Sequence, residues 1–169
     1  MFALTKHVAR IERLNLRSEI HGDAEVSMID ITLKADIDNT ILDGFGSGTL
    51  RHALFDDGAQ QDMHGHLKHL RNPGVGSVQW LGEFAPASLQ LHTGAKSGKD
   101  DVIFTGANTK VGRITFEAKE GGTCSFAWRV KVCPNEAEAA RLFSLLHHEV
   151  RISQDLSHAE NIDGHADDS

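Results

Sequence analysis

The chain reads as a mainly β or α+β protein, a curled antiparallel sheet (barrel-like or sandwich-like) with two short helices. Three observations predict this. Ser27 to Ala35 alternates cleanly, with Ile29, Ile31, Leu33 and Ala35 on one side and Met28, Asp30, Thr32 and Lys34 on the other. Val111 to Ala118 and Thr123 to Val132 form two further runs joined at Glu120-Gly121-Gly122, and in the second Cys124, Phe126, Trp128, Val130 and Val132 oppose Ser125, Ala127, Arg129 and Lys131. Successive side chains of a strand point to opposite faces, so each run marks a half-buried strand. Finally, strands and helices do not alternate regularly, which argues against a parallel sheet with crossover helices.

The elements follow in order. Phe2 to Leu16 alternates loosely and joins Ser27 to Ala35 through the turn His21-Gly22-Asp23, giving a long hairpin that bends across the domain. Asp38-Asn39-Thr40 supplies an N-cap for Ile41, Leu42, Phe45, Leu50, Ala53 and Leu54. Their helical spacing is interrupted by Gly44, Gly46 and Gly48, so one broken helix is expected, centred on Thr49 to Phe55. Phe55 to Gly76 has little periodicity and reads as a long surface loop, a class often functional when it exceeds about 12 to 15 residues. Ser77 to Leu81, Ser88 to His92 and Val102 to Phe104 are short strand candidates, with Thr93 to Asp100 as a hairpin tip. Asn135 to His148 forms the second helix, with Pro134 near its start, Glu136 and Glu138 at its positive end, and Ala139, Leu142, Phe143 and Leu146 on one stripe. Val150 to Ser153 returns as an edge strand whose unpaired backbone offers a homo-oligomer contact. Residues 155–169 are polar and acidic and read as a disordered tail, leaving one β-rich globular domain over residues 1–154.

At 169 residues the chain suits one domain able to bury about two-thirds of its unfolded surface. Its net charge of −7 disfavours a protein that coats duplex DNA, which needs a broad basic face. Five of those negative charges fall in the tail (Asp155, Glu160, Asp163, Asp167, Asp168), so the folded part is near neutral and has room for a local basic groove. Cys124 and Cys133 read as reduced thiols. The start lacks a secretory signal pattern, and no stretch approaches the ~20 apolar residues of a membrane span, so a soluble intracellular protein with no membrane partner is expected.

Catalytic patterns are missing. His64, His66 and His69, with His52 and Asp62 nearby, have the residue types of a zinc site, but no carboxylate supports them in a recognised spacing, and a solvated loop explains them. Gly94-Ala95-Lys96-Ser97-Gly98-Lys99 has three residues between its glycines where a phosphate-binding loop has four, and Asp100 stands where that loop needs Ser or Thr. No nucleophile elbow, Cys-x-x-Cys or His-Glu-x-x-His occurs. A non-enzymatic protein without catalytic residues, cofactor or metal is therefore the expectation.

The cations suggest nucleic acid instead. Arg129 and Lys131 lie on the outward face of the last long strand, Lys110 and Arg113 on its hairpin partner, and Lys96 and Lys99 at the loop tip. Together they would track a single-stranded backbone. Phe116, Phe126 and Trp128 fall on the core side by parity, leaving Trp80 and Phe84 as stacking platforms. The competing reading is a solvated sheet face. A compact β-domain with an acidic tail is similar in plan to single-stranded DNA-binding proteins, although this chain ends Ala166-Asp167-Asp168-Ser169, without the apolar terminal residue of partner-docking tips.

Arg13-Leu14-Asn15-Leu16-Arg17, then His21-Gly22-Asp23, Glu120-Gly121-Gly122-Thr123 before the Trp128 strand, and Pro134 before the last helix resemble small phage and prophage proteins of unassigned function, over most of residues 2 to 153. That resemblance implies a bacteriophage origin, the cytoplasm of a bacterial host and a role near phage recombination and replication; it carries over no catalytic residue. The leading expectation is an accessory protein binding single-stranded nucleic acid in DNA metabolism. One alternative is a protein–protein module, such as a counter-defence inhibitor that binds a host protein through its acidic surface and the Phe55 to Gly76 loop. A second is a metal-dependent enzyme using His64, His66 and His69.

Overall fold

The computed structural model describes residues 1–56, 67–93 and 102–163. Its elements are β1 (Ala3–His21), β2 (Ala24–Asp38), a 3-10 helix (Asn39–Gly44), α1 (Leu50–Leu54), β3 (Phe55–Asp56), β4 (His69–Leu70), β5 (Val78–His92), β6 (Val102–Lys119), β7 (Thr123–Val132), α2 (Glu136–Ser144), β8 (Glu149–Asp155) and β9 (Glu160–Asn161). The strands run β6-β7-β2-β1-β8-β5 around the sheet, and β5 pairs back onto β6, closing a six-stranded antiparallel barrel. The curled antiparallel sheet expected from the alternating runs is therefore present, in its barrel form.

Parity sets which side chains fill the barrel. Ile29, Ile31 and Leu33 of β2 and Cys124, Phe126, Trp128, Val130 and Val132 of β7 are all buried inside. Neighbouring strands place Leu33 opposite Trp128 and Phe116 opposite Phe126. Phe2, Phe45, Phe116, Phe126 and Trp128 form a ring cluster in which Phe2 meets Phe126 edge-on at 5.1 Å and Phe45 meets Phe116 at 5.2 Å. Such pairs each add about 0.5–1.5 kcal/mol beyond their area. One polar thread through this core is satisfied: Trp128 Nε1 donates to Gln154 Oε1 at 3.1 Å, and Gln154 Nε2 donates to the Ser88 carbonyl at 2.7 Å. The interior is thus packed, and function has to be sought on the outer surface. Burial also pushes the Cys124 thiol up to about 12, which keeps it protonated.

Four sequence expectations are corrected. The short strand candidates between Ser77 and Phe104 belong to two long strands, β5 and β6, which absorb their glycines and Pro86 at irregularities of the ladder. Pro86 lies between the paired residues Phe84 and Ala87, where the register shifts and a missing N–H is tolerated. The broken helix is a 3-10 turn followed by the short α1, because Gly44 passes so close to the chain start that a Cβ there would lie 2.9 Å from the Met1 carbonyl oxygen. Val150 to Ser153 is no edge. β8 pairs with β1 (Val8↔Arg151) and with β5 (Leu91↔Ile152), so it offers no free backbone to a neighbour.

Residues 155–163, expected to belong to a disordered tail, are also ordered against the barrel. Leu156 is fully buried and its N–H donates to the Phe2 carbonyl at 2.9 Å. β9 pairs with Phe84 and Ala85, and the Ile162 N–H donates to the Glu83 carbonyl at 2.7 Å. A single buried leucine and four residues of strand contact tie residues 155–163 to the barrel, a signal too short for composition to reveal.

Candidate nucleic-acid interface

The outer face of β7 carries Arg129 and Lys131 as its parity requires, and both meet acids. Lys131 Nζ contacts the Glu83 carboxylate of β5, and Lys110 Nζ lies 4.0 Å from the same group. Arg129 lies 3.8 Å from Asp30, whose other oxygen accepts from Arg17 Nε at 3.0 Å. Asp30 points outward from β2 yet is only 4% exposed, because two guanidinium groups cover it. Two of the opposing acids come from strands distant in sequence, which is why a reading of β7 alone leaves these cations free.

Arg113 is placed differently. Val111 and Ile114 of β6 are both fully buried although three residues apart, so strict alternation fails between them. The ladder shows why: Gly112 faces Arg129 and Thr115 faces Ala127, with an extra residue on β6 between. Arg113 sits in that bulge with φ of 49°, in the left-handed region costly for a residue with a Cβ. The bulge returns Arg113 to the outer side shared with Lys110.

There Arg113 borders a cleft of about 570 Å³ with Arg13 and Asn15 of β1, Asp30 and Thr32 of β2, and Arg129. The register threads these groups across three strands, Arg13 opposite Thr32 and Thr32 opposite Arg129. Arg13 and Arg113 are exposed, and among the described residues neither has an acid partner. Arg129 is held by Asp30 with its Nε buried and unpaired. Two free guanidinium groups, one pre-oriented, and short polar side chains between them make a surface suited to an oxyanion such as a phosphate. Glu12 at the rim tempers the field.

The remaining expected site residues fall elsewhere. Lys96 and Lys99 lie outside the described residues, as do Asp62, His64 and His66. Phe84 is 7% exposed and belongs to the core, so it offers no stacking face. Trp80 is half-buried, its ring edge-on to Phe45 at 5.3 Å. Trp80 and Phe84 were the rings left after parity placed Phe116, Phe126 and Trp128 in the core; β5 turns Phe84 into that core as well. His69 Nδ1 is 2.9 Å from Glu120, whose other oxygen accepts the Leu70 N–H at 3.1 Å, so this histidine pins β4 to the β6–β7 turn. Among the described residues no group of three His, Cys, Asp or Glu side chains is arranged to hold a metal ion.

Arg13, Asp30 and Glu83 were not singled out as site residues from sequence. The polar alternation Arg13, Asn15, Arg17 in β1 and Asp30 among its outward positions in β2 contained part of the signal, but the pairing of β1 to β2 and of β2 to β7 was needed to bring them together. No protein-family model matches this chain, and no curated protein or solved structure matches it.

Proposed function

We propose that the protein is a non-enzymatic accessory factor that binds the backbone of single-stranded nucleic acid through the Arg13–Arg113–Arg129 cleft, in the DNA metabolism of a phage within its bacterial host. The convergence of two unpaired arginines with a third braced by Asp30, at the mouth of a polar cleft, carries this reading. Strain supports it too, since a left-handed arginine at a bulge is the kind of feature that persists where it serves a site. Of the cations expected from the sequence, Arg113 and Arg129 line the cleft, while Lys110 and Lys131 share the single Glu83 carboxylate and frame it. Without Phe84 or Trp80 to stack on bases, affinity rests on phosphate contacts and is modest, indifferent to sequence and sensitive to salt.

Fluorescence anisotropy with labelled single-stranded oligonucleotides on the full chain tests this. Binding at low salt that weakens as salt rises, and weakens further in Arg13→Glu, is expected. No binding at low salt would sink the reading.

A further inference from the structure

β1 outruns the barrel. Its ladder with β8 ends at Arg10, backed by backbone bonds from Ile11 to His147 and His148, and β2 meets β7 only from Ile29 onward. Glu12 to His21 therefore pairs with β2 alone, and Ala24 to Met28 pairs with β1 alone. The result is a two-stranded arm that extends past the barrel ladder, its polar face bordering β6 and the end of β7 through Glu19, His21, Val26 and Met28.

The core face of the sheet continues onto this arm. Leu14 and Leu16 lie opposite the buried Ile31 and Ile29, and Ser18 and Ile20 follow on the same side. Beyond the barrel nothing covers that face among the described residues: Leu16 is 62% exposed and Ile20 80%. A lone hairpin is marginally stable in water. A long free edge with exposed aliphatics is also a template for another strand, and proteins commonly blunt such edges with lysine, proline or shortness. Glu12 to His21 contains no lysine and no proline.

We infer that the occupant of this edge is the same edge of a second copy, the two arms pairing antiparallel about a two-fold axis through Ser18. The choice of register follows from charge and shape. With Ser18 facing its mate, Leu16 lies opposite Ile20 of the second copy on the apolar face, and Arg17 lies opposite Glu19 of the second copy on the polar face, each twice. Centring the axis on Arg17 would set arginine against arginine, and centring it on Glu19 would set glutamate against glutamate. Centring it on Leu16 would place Ile20 against Glu12. Of these four, only the Ser18 register matches aliphatic with aliphatic and acid with base, extending between chains the Arg17–Glu19 pair already present within each; centring on Ile20 would pair Glu19 with His21 but overlap far less of the strand. The Glu19 carboxyl, already held below its ordinary 4.5 by a hydrogen bond from His21 and by Arg17 and Lys131, remains ionised for this pairing near neutral pH. A self-complementary contact of this kind closes on itself, so the product is a dimer with a four-stranded ribbon, not a filament.

Sedimentation velocity and light scattering on the full chain should report a dimer. Ile20→Lys should raise the dimer dissociation constant by roughly tenfold or more, with an unchanged far-ultraviolet spectrum. In a Cys133→Ser background, Ser18→Cys should cross-link two chains almost completely on oxidation. Ser27→Cys, opposite Ser18 but on the far strand of the arm, should cross-link little, because a disulfide needs Cα atoms within about 7 Å. A monomer at all accessible concentrations, a dimer indifferent to Ile20→Lys, or equal cross-linking through Ser27→Cys would each overturn the proposal. Arg13 and Asn15 at the root of the arm also line the arginine cleft, whereas Ser18 and Ile20 do not, so loss of dimerisation in Ile20→Lys with intact oligonucleotide binding, or loss of binding in Arg113→Gly with an intact dimer, tells the two readings apart.

Discussion

Arg113 couples stability to function at a single residue. Its φ of 49° is unfavourable for any side chain with a Cβ and unproblematic for glycine. Arg113→Gly should therefore raise unfolding free energy by about 1 kcal/mol in urea titrations while weakening oligonucleotide binding. Loss of both stability and binding would contradict a strained binding residue. His69 and Glu120 offer a second residue-scale test through pH. The Leu70 amide, then His69, hold the Glu120 carboxyl below its ordinary 4.5, while the hydrogen bond and charge of Glu120 hold His69 above 6.5. The carboxyl's contribution is present above 4.5 and lost as pH falls through its lowered value; the imidazole's is present below 6.5 and lost as pH rises through its raised value. Their attraction is thus fully present between pH 4.5 and 6.5. In Glu120→Gln the His69 titration followed by NMR should move down toward 6.5, and the difference in Tm from the unaltered protein should be largest inside that window.

Elements differ in how much of their fate is local. β2 and β7 alternate without interruption and were legible because one face is buried along nearly all their length. α2 was legible for another reason, the acids Glu136 and Glu138 at its start and its apolar stripe; it ends at Ser144, four residues short of the expected His148, and its start is fixed by a reciprocal capping box in which the Asn135 and Glu138 side chains each accept the other's backbone N–H at 2.9 Å. β5 was not, since its bulges break the period of two, and a glycine with φ of 115° at position 82 reads locally as a turn. Gly82 has a tertiary role, for a Cβ there would stand 2.8 Å from the Asn161 side chain of β9. Deleting residues after Gln154 removes that clasp together with Leu156, and should cost about 2–4 kcal/mol from one buried leucine and its associated backbone bonds. A thermal scan unchanged by the deletion would mean that the segment contributes nothing to the barrel.

For the molecule as a whole, closure of the barrel removes the edges that an open sheet would expose and leaves the arm as its main unprotected strand pair. The β5–β6 pairing sets Glu83 opposite Gly112, from where it reaches Lys110 of β6 and, across that strand, Lys131 of β7. Among the described residues, the outer face of β6 and β7 is therefore a mosaic of paired charge beside a small free cationic site, on a chain of net charge −7. Such a site makes few phosphate contacts. With about 0.7 of a counterion released per phosphate on single strands, log K against log salt should fall with a slope of about −2 for three arginines, and Arg113→Gly should make it shallower by about 0.7. A slope several times steeper would require cations beyond this cleft.

Sequence alone determined the fold class and the inward faces of β2 and β7, because a side chain's side of a strand depends only on the parity of its position once the strand is regular. It also located the cations of β6 and β7. Tertiary structure decided which of them remain free, since Asp30 and Glu83 reach their partners through strand pairings between distant segments. It decided as well that Phe84 belongs to the core, that β8 is interior, and that residues 155–163 are clasped to the barrel. Each of these rests on a neighbour supplied by barrel closure or by a register shift, and neither leaves a period in the local sequence.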